Sequence, residues 1–121
     1  MTVNARVHSF VLECPDPERL AQFYSDLTGW PVVDADPEWV TIREQKDFGQ
    51  RIAFQRAPGH QAPTWPDPAS SMQYHIDFVV DDIDVAEPAA LALGATRFAE
   101  QPGDNFRVYA DPVGHPFCLC W

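Results

Sequence analysis

The sequence predicts an α+β fold made of two βαβββ modules. Two segments carry this prediction, SFVLECPDPER from Ser9 and HIDFVVDDIDV from His75. Each begins with an apolar run of strand length, reaches an acidic cluster that favours a turn, and continues into a helical pattern. The helical patterns end at Gly29 and Gly94. The separation of these two glycines along the chain nearly equals that of Ser9 and His75, which indicates a duplication.

The first helix is predicted from Pro17 to Thr28. Asp16 is a suitable N-cap, proline is favoured at the first helical position, and Gly29 suits the left-handed residue that ends a helix. One apolar stripe of helical period supports this helix, formed by Leu20, Phe23, Tyr24 and Leu27.

The second helix is predicted from Val85 to Leu93, with Gly94 ending it. Pro88 lies inside this range. Because proline is tolerated only in the first turn of a helix, we expect this helix to begin late or to bend.

Three short strand-like segments follow each helix. They are WPVVDA, EWVTIRE and QRIAFQR in the first half, and ATRFAE, FRVYA and PFCLCW in the second half. Between the halves, APGHQAPTWPDPASS contains four prolines and is typical of a linker. We therefore expect a single domain over residues 1–121, with a module over about residues 5–57, a linker over about 58–71 and a second module over about 72–121.

Composition excludes several classes of function. The net charge of −10 and the eight Lys and Arg residues argue against nucleic-acid binding and against anionic membrane surfaces. No apolar run approaches the roughly 20 residues of a membrane span, and the N-terminus lacks the pattern of a signal peptide. Three cysteines without framework spacing are typical of reduced thiols, so we expect a cytoplasmic protein.

Four segments together resemble the vicinal oxygen chelate superfamily: PDPERLAQFYSDLTGW, TWPDP, YHIDFVVDD and DPVGHPFCLCW. This superfamily includes glyoxalases, bleomycin-resistance proteins, fosfomycin-resistance enzymes and extradiol dioxygenases. The resemblance implies two curved four-stranded sheets that enclose a cup, completed either within one chain or across a homodimer. We expect a homodimer of the small glyoxalase-like type.

In metal-dependent members of this superfamily, His or Glu ligands lie on the cup faces of four strands. The resemblance carries these positions onto Ser9, Ala53 or Gln55, His75, and Cys118 or Cys120. Of these residues, only His75 is a good ligand of the expected type, although Asp77 lies on the same strand face and adds an oxygen. We therefore expect no resident metal, and at most His75 as a ligand if a divalent ion such as Zn, Ni, Mn or Fe is bound.

Three roles stay open for His75: a wall residue hydrogen-bonded to Asp77 or Gln55, a catalytic base acting with Asp77, or a ligand-binding group. Trp65 either closes over a ligand as a lid, or packs on its own domain or at a dimer interface. Cys118 is either a buried apolar residue or part of the site. The predicted ligand contacts are Ser9, Trp39, Gln55, Trp65, His75 and Cys118. The strand FRVYA adds either Phe106, Val108 and Ala110, or Arg107 and Tyr109.

Two functions follow from this pattern. The first is a binding protein that sequesters a small, partly apolar or aromatic molecule without the metal of the superfamily. The alternative is a lyase, isomerase or dioxygenase that uses His75 as a metal ligand or general base. A related fold with an unrelated role is a third possibility, because fold does not fix function.

Overall fold

The computed structural model describes residues 1–121, which divide into two compact units, Met1–His60 and Gln61–Trp121. The division falls inside the proline-rich segment that the sequence marks as a linker. Each unit contains one strand, one helix and three further strands in chain order, as the duplicated pattern predicts. The α+β fold of the two βαβββ modules is confirmed.

The first unit is a four-stranded sheet with one helix. Its elements are β1 (Phe10–Cys14), α1 (Pro17–Thr28), β2 (Val32–Asp36), β3 (Trp39–Arg43) and β4 (Arg51–Arg56). The strand order is β1-β4-β3-β2. Strands β1 and β4 run parallel, which requires a long connection, whereas the β3 pairings with β2 and β4 are antiparallel.

Helix α1 has the predicted limits and the predicted caps. The Asp16 side chain accepts a hydrogen bond from the Arg19 amide at 3.3 Å. At the other end, Gly29 has a φ of 78° and donates its N–H to the Ser25 carbonyl at 2.8 Å. The buried stripe of the helix contacts the sheet, where the Tyr24 ring stacks on Phe54 with centroids 5.5 Å apart.

The second unit repeats this arrangement. Its elements are β5 (Ile76–Val79), α2 (Ile83–Ala92), β6 (Thr96–Arg97), β7 (Phe106–Ala110) and β8 (Pro116–Cys120). The strand order is β5-β8-β7-β6, again with the first and last strands of the unit parallel. Neither helix is long and apolar enough to span a bilayer.

Of the two expectations for α2, a late start is wrong, and a bend stays a prediction. The helix begins at Ile83, because the Asp82 carboxylate accepts from the Asp84 amide at 2.9 Å and so caps an earlier start. Pro88 therefore lies beyond the first turn, inside the helix. Proline has no N–H, so one helical hydrogen bond is missing at this position.

Glu87 connects helix α2 to its sheet through hydrogen bonds. The Glu87 carboxylate accepts from Tyr109 Oη at 2.8 Å, from Arg107 at 2.9 Å and from Arg97 at 3.2 Å. These partners lie on β6 and β7, and Tyr109 is fully buried. Since charge-assisted hydrogen bonds are stronger than neutral ones, Glu87 fixes which face of the sheet the helix covers.

We expect the Tyr109 hydroxyl to make folding sensitive to alkaline pH. Burial, together with the hydrogen bond to Glu87, raises the pKa of Tyr109 to about 12 from its usual 10.0. Above pH 10 the unfolded chain loses this proton first, so stability should fall between about pH 10 and pH 12, by at most about 1.4 kcal/mol per pH unit.

Urea unfolding midpoints measured on either side of pH 10 test this expectation. Tyr109→Phe should lose less stability over that interval than the wild type does. Tyr74→Phe is the matched control, because Tyr74 is 92% exposed and its loss should leave the pH dependence unchanged. A Tyr109→Phe protein with the full wild-type pH dependence would contradict the assignment.

Candidate functional site

The second sheet has a helix-covered face and a face opposite α2, which we call the far face. Tyr109 belongs to the helix-covered face through Glu87, and its ring stacks on Phe117 at 5.6 Å. Side chains alternate along a strand, so the neighbouring positions point the other way. By strand register, the far face includes Asp77, Val79, Phe106, Val108, Ala110, Cys118 and Cys120. Of the two alternatives for β7, the structure therefore selects Phe106, Val108 and Ala110.

His75 and Asp77 are in contact at one edge of the far face. His75 lies just before β5, two residues from Asp77, and therefore shares its side of the strand. His75 Nε2 is 3.2 Å from Asp77 Oδ1, and the two side chains are 39% and 60% exposed. An imidazole that donates Nε2–H to this carboxylate keeps Nδ1 free to accept a proton, so the pair has the chemistry of an oriented base.

Cys118 adds a thiol to this pair. Strand β8 places Cys118 directly beside Asp77 in the parallel register, and its side chain is only 3% exposed. Burial, together with a hydrogen bond to Asp77, raises the pKa of Cys118 to about 12. Without a metal, the thiol is therefore protonated at neutral pH.

The ligand atoms of His75, Asp77 and Cys118 all lie within 4.8 Å of one another. An imidazole nitrogen, a carboxylate oxygen and a sulfur form a donor set typical of zinc, and three protein ligands leave one coordination position open. These three residues therefore fit a divalent ion of the kind that the superfamily uses. The sequence indicated His75 and Asp77 as neighbours, but the contact with Cys118 depends on strand register.

The predicted ligand contacts Ser9, Trp39 and Gln55 belong to the first unit. Gln55 pairs in register with Trp39 and follows Phe54, which contacts α1, so Gln55 and Trp39 share the face opposite that helix. Trp39 Nε1 donates to Thr41 Oγ1 at 3.1 Å on the same face. Ser9 immediately precedes β1 and its hydroxyl lies 3.2 Å from His8 Nδ1.

Trp65 packs within its own unit. Its ring meets Phe98 edge-on with centroids 5.1 Å apart, and the side chain is half-buried. This contact explains how an apolar side chain between two loop prolines is kept partly out of solvent. The sequence left open a lid, packing on its own domain or a dimer interface, and the observed contact is packing on its own domain.

A groove that the sequence did not indicate lies in the first unit, beside the start of α1. It encloses about 680 Å³, and its lining includes Asp16, Pro17, Ala35, Asp36, Val40 and Arg56. Two of these groups already have partners: the Asp16 carboxylate caps α1, and Arg56 lies 3.5 Å from Glu38. The groove lacks a cluster of catalytic side chains, so the far face of the second sheet is the stronger candidate site.

The chain belongs to the glyoxalase-like domain family, whose model matches residues 9–120. This places it in the vicinal oxygen chelate superfamily and confirms the resemblance in the sequence. No curated protein matches the chain at a significant level.

Solved structures share the fold at low sequence identity. A glyoxalase/bleomycin resistance protein/dioxygenase family enzyme from Burkholderia phytofirmans PsJN is 18% identical, with a TM-score of 0.73 over 95% of this chain and 97% of that one. The fosfomycin resistance protein FosX from Listeria monocytogenes is 16% identical, with a TM-score of 0.71 over 98% and 91%. The oxidase ChaP-H2 is 18% identical, with a TM-score of 0.66 over 97% and 93%. These similarities show the fold.

We expect Cys118 to resist alkylation in the native protein. Only the thiolate reacts, and both burial and the raised pKa keep the Cys118 thiol protonated and covered. Burial also raises the pKa of Cys120, but Cys120 is less buried and should react first. Peptide mass spectrometry after treatment with iodoacetamide near pH 8 should show modification of Cys118 at least about tenfold slower than that of Cys120.

The same treatment in concentrated urea is the control, because unfolding should make the two rates similar. Equal rates in the native protein would contradict the described environment of Cys118.

Proposed function

We propose that this protein binds a small, partly apolar or aromatic molecule on the far face of the second sheet. The observation that carries the proposal is a polar trio, His75, Asp77 and Cys118, beside an exposed apolar side chain on the same face, Val79, which is 84% exposed. Small-molecule sites typically combine an apolar lining with a few polar groups that fix orientation.

The proposed contacts divide into two sets. Val79 and Phe106 offer apolar surface, since they pair with the same residue of β8, Cys120, on the far face. His75 offers its Nδ1 atom as a hydrogen-bond acceptor, and Asp77 offers a carboxylate, at the edge of this face. Such binding requires no metal. Ser9, Trp39, Gln55 and Trp65 stay predictions as further ligand contacts.

A second candidate function is that of a lyase, isomerase or dioxygenase, and the cluster of three metal-ligand side chains favours it. His75, Asp77 and Cys118 would hold a divalent ion, which acts as a Lewis acid toward a substrate oxygen when bound. Without an ion, His75 oriented by Asp77 is the candidate general base.

We also propose that the protein acts in the cytoplasm as a homodimer. None of the three cysteines forms a disulfide, which suits a reducing compartment. Strand β1 lies at a sheet edge and exposes apolar side chains, with Phe10 54% and Val11 43% exposed, as a subunit contact requires. Sedimentation should give about twice the chain mass of 13.6 kDa, and the mass of a single chain would contradict the dimer.

We expect Val79→Asp to weaken binding of an aromatic probe. The probe is 8-anilinonaphthalene-1-sulfonate, followed by its fluorescence on titration with folded protein. A charge in place of an apolar contact should raise the dissociation constant about tenfold, which is about 1.4 kcal/mol. His75→Ala should also weaken binding if the imidazole orients the bound molecule.

Val85→Asp is the matched control. Val85 is also exposed, at 68%, but lies on α2, so this variant should bind the probe like the wild type. Equal loss in both valine variants, or none in Val79→Asp, would place the probe elsewhere. Unchanged binding and stability in His75→Ala would remove His75 from the site. Turnover of any substrate that disappears with a chelator would favour the second candidate.

A further inference from the structure

We infer that His75, Asp77 and Cys118 form a three-ligand site for a thiophilic divalent ion, contained within the second unit. This inference rests on the second candidate function, in which the same three residues hold an ion, and goes beyond the proposed ligand binding, which needs none. It concerns which residues hold the metal and which metals they select.

The distances suit such a site. Tetrahedral zinc with bonds of about 2.0–2.3 Å places its ligand atoms about 3.3–3.6 Å apart. His75 Nε2 and Asp77 Oδ1 are 3.2 Å apart, and all three ligand atoms lie within 4.8 Å of one another. Side-chain rotation alone can close the remaining difference, because His75 and Asp77 are substantially exposed.

The backbone that carries these ligands is well fixed. Asp77 and Cys118 are register partners in the parallel pairing of β5 with β8, and the pairing continues through Val79 and Cys120. Two of the three ligands thus come from adjacent positions on hydrogen-bonded strands, and His75 is two residues from Asp77. The site needs no residue from the first unit.

This ligand set differs from the one that the resemblance implies. Relatives draw ligands from four strands, and the matching positions in the first unit carry Ser9 and either Ala53 or Gln55, which are weak ligands or none. Asp77 supplies the missing donor from a position that the resemblance does not assign. The result is a nitrogen, oxygen and sulfur site in place of the usual histidines and glutamate.

The sulfur determines the selectivity. Thiolate ligands favour zinc and other thiophilic ions, whereas magnesium and calcium prefer sites made only of oxygen ligands. A site that includes Cys118 should therefore bind Zn²⁺ and Co²⁺ and discriminate against Mg²⁺. Cys120 lies one register pair further along, beside Val79, and is not needed as a ligand.

Cobalt titration tests the inference without any assay of activity. Untagged protein, freed of metal by a chelator, should bind one Co²⁺ and develop a thiolate-to-cobalt charge-transfer band in the near ultraviolet. Zn²⁺ should displace the cobalt at equal concentration, and a hundredfold excess of Mg²⁺ should not. Cys118→Ser should abolish the band, and His75→Ala or Asp77→Asn should weaken cobalt binding at least tenfold.

Cys120→Ser and Ser9→Ala are matched controls, and both should keep the band and the affinity. Circular dichroism confirms that each variant is folded, and Asp77→Asn tests the site without altering the buried Cys118. A wild-type protein without the band, or a Cys118→Ser protein that keeps it, would overturn the inference. Loss of cobalt binding in Ser9→Ala would also overturn it, because the inferred site needs no residue outside the second unit.

The outcome is separable from that of the proposed function. Val79→Asp removes the apolar contact and should keep cobalt binding, whereas the chelator-treated wild-type protein has lost the ion and should still bind the naphthalene probe. Failure of one proposal therefore leaves the other to be decided by its own measurement.

Discussion

The parallel pairing of β5 with β8 is the constraint on which the candidate site depends. Its register places Asp77 beside Cys118 and Ile76 beside Phe117. The first pair faces away from α2, and the second belongs to the aromatic layer under the helix. Because successive side chains point to opposite faces, a slip of β5 by one residue would turn Asp77 toward the helix and Ile76 away from it. The same register thus determines both the core and the site.

Helix α2 reinforces this choice of face. The Glu87 carboxylate on α2 accepts hydrogen bonds from Tyr109 and Arg107 on β7. The Arg107 guanidinium also lies over the Trp121 ring, 5.4 Å from its centroid. A carboxylate with these partners favours one orientation of the sheet under the helix. The far face consequently carries the polar pair His75 and Asp77, which would be unfavourable in a core, next to the buried Cys118. The strand register that places the aromatic core on the helix-covered face therefore also places the candidate site on the far face.

The sequence was most informative where local signals agree. For α1, the Asp16 cap, the apolar stripe and Gly29 all give the same limits, and the structure has those limits. For α2, the signals conflict. Pro88 argues for a late start, but the Asp82 cap and burial of Ile83 at 8% exposure favour an early one, and the cap and packing prevail over the proline penalty. Local patterns do not show which of two opposing contributions is larger.

The sequence predicts the candidate site less completely than the fold. The pattern HIDF places His75 and Asp77 on one side of a strand, so their proximity follows from local geometry. The position of Cys118 depends on a pairing between residues about forty positions apart, which hydrophobic alternation does not determine. The choice between Phe106 and Arg107 for the far face was open for the same reason. It was resolved by the contacts of Glu87.

Backbone nuclear Overhauser effects between β5 and β8 in the isotope-labelled protein test the central claim most directly. The described register requires cross-strand contacts that join Asp77 with Cys118 and Val79 with Cys120. A set displaced by one residue, with Asp77 opposite Phe117 or Leu119, would contradict it, because the acid and the thiol would then lie on opposite faces of the sheet.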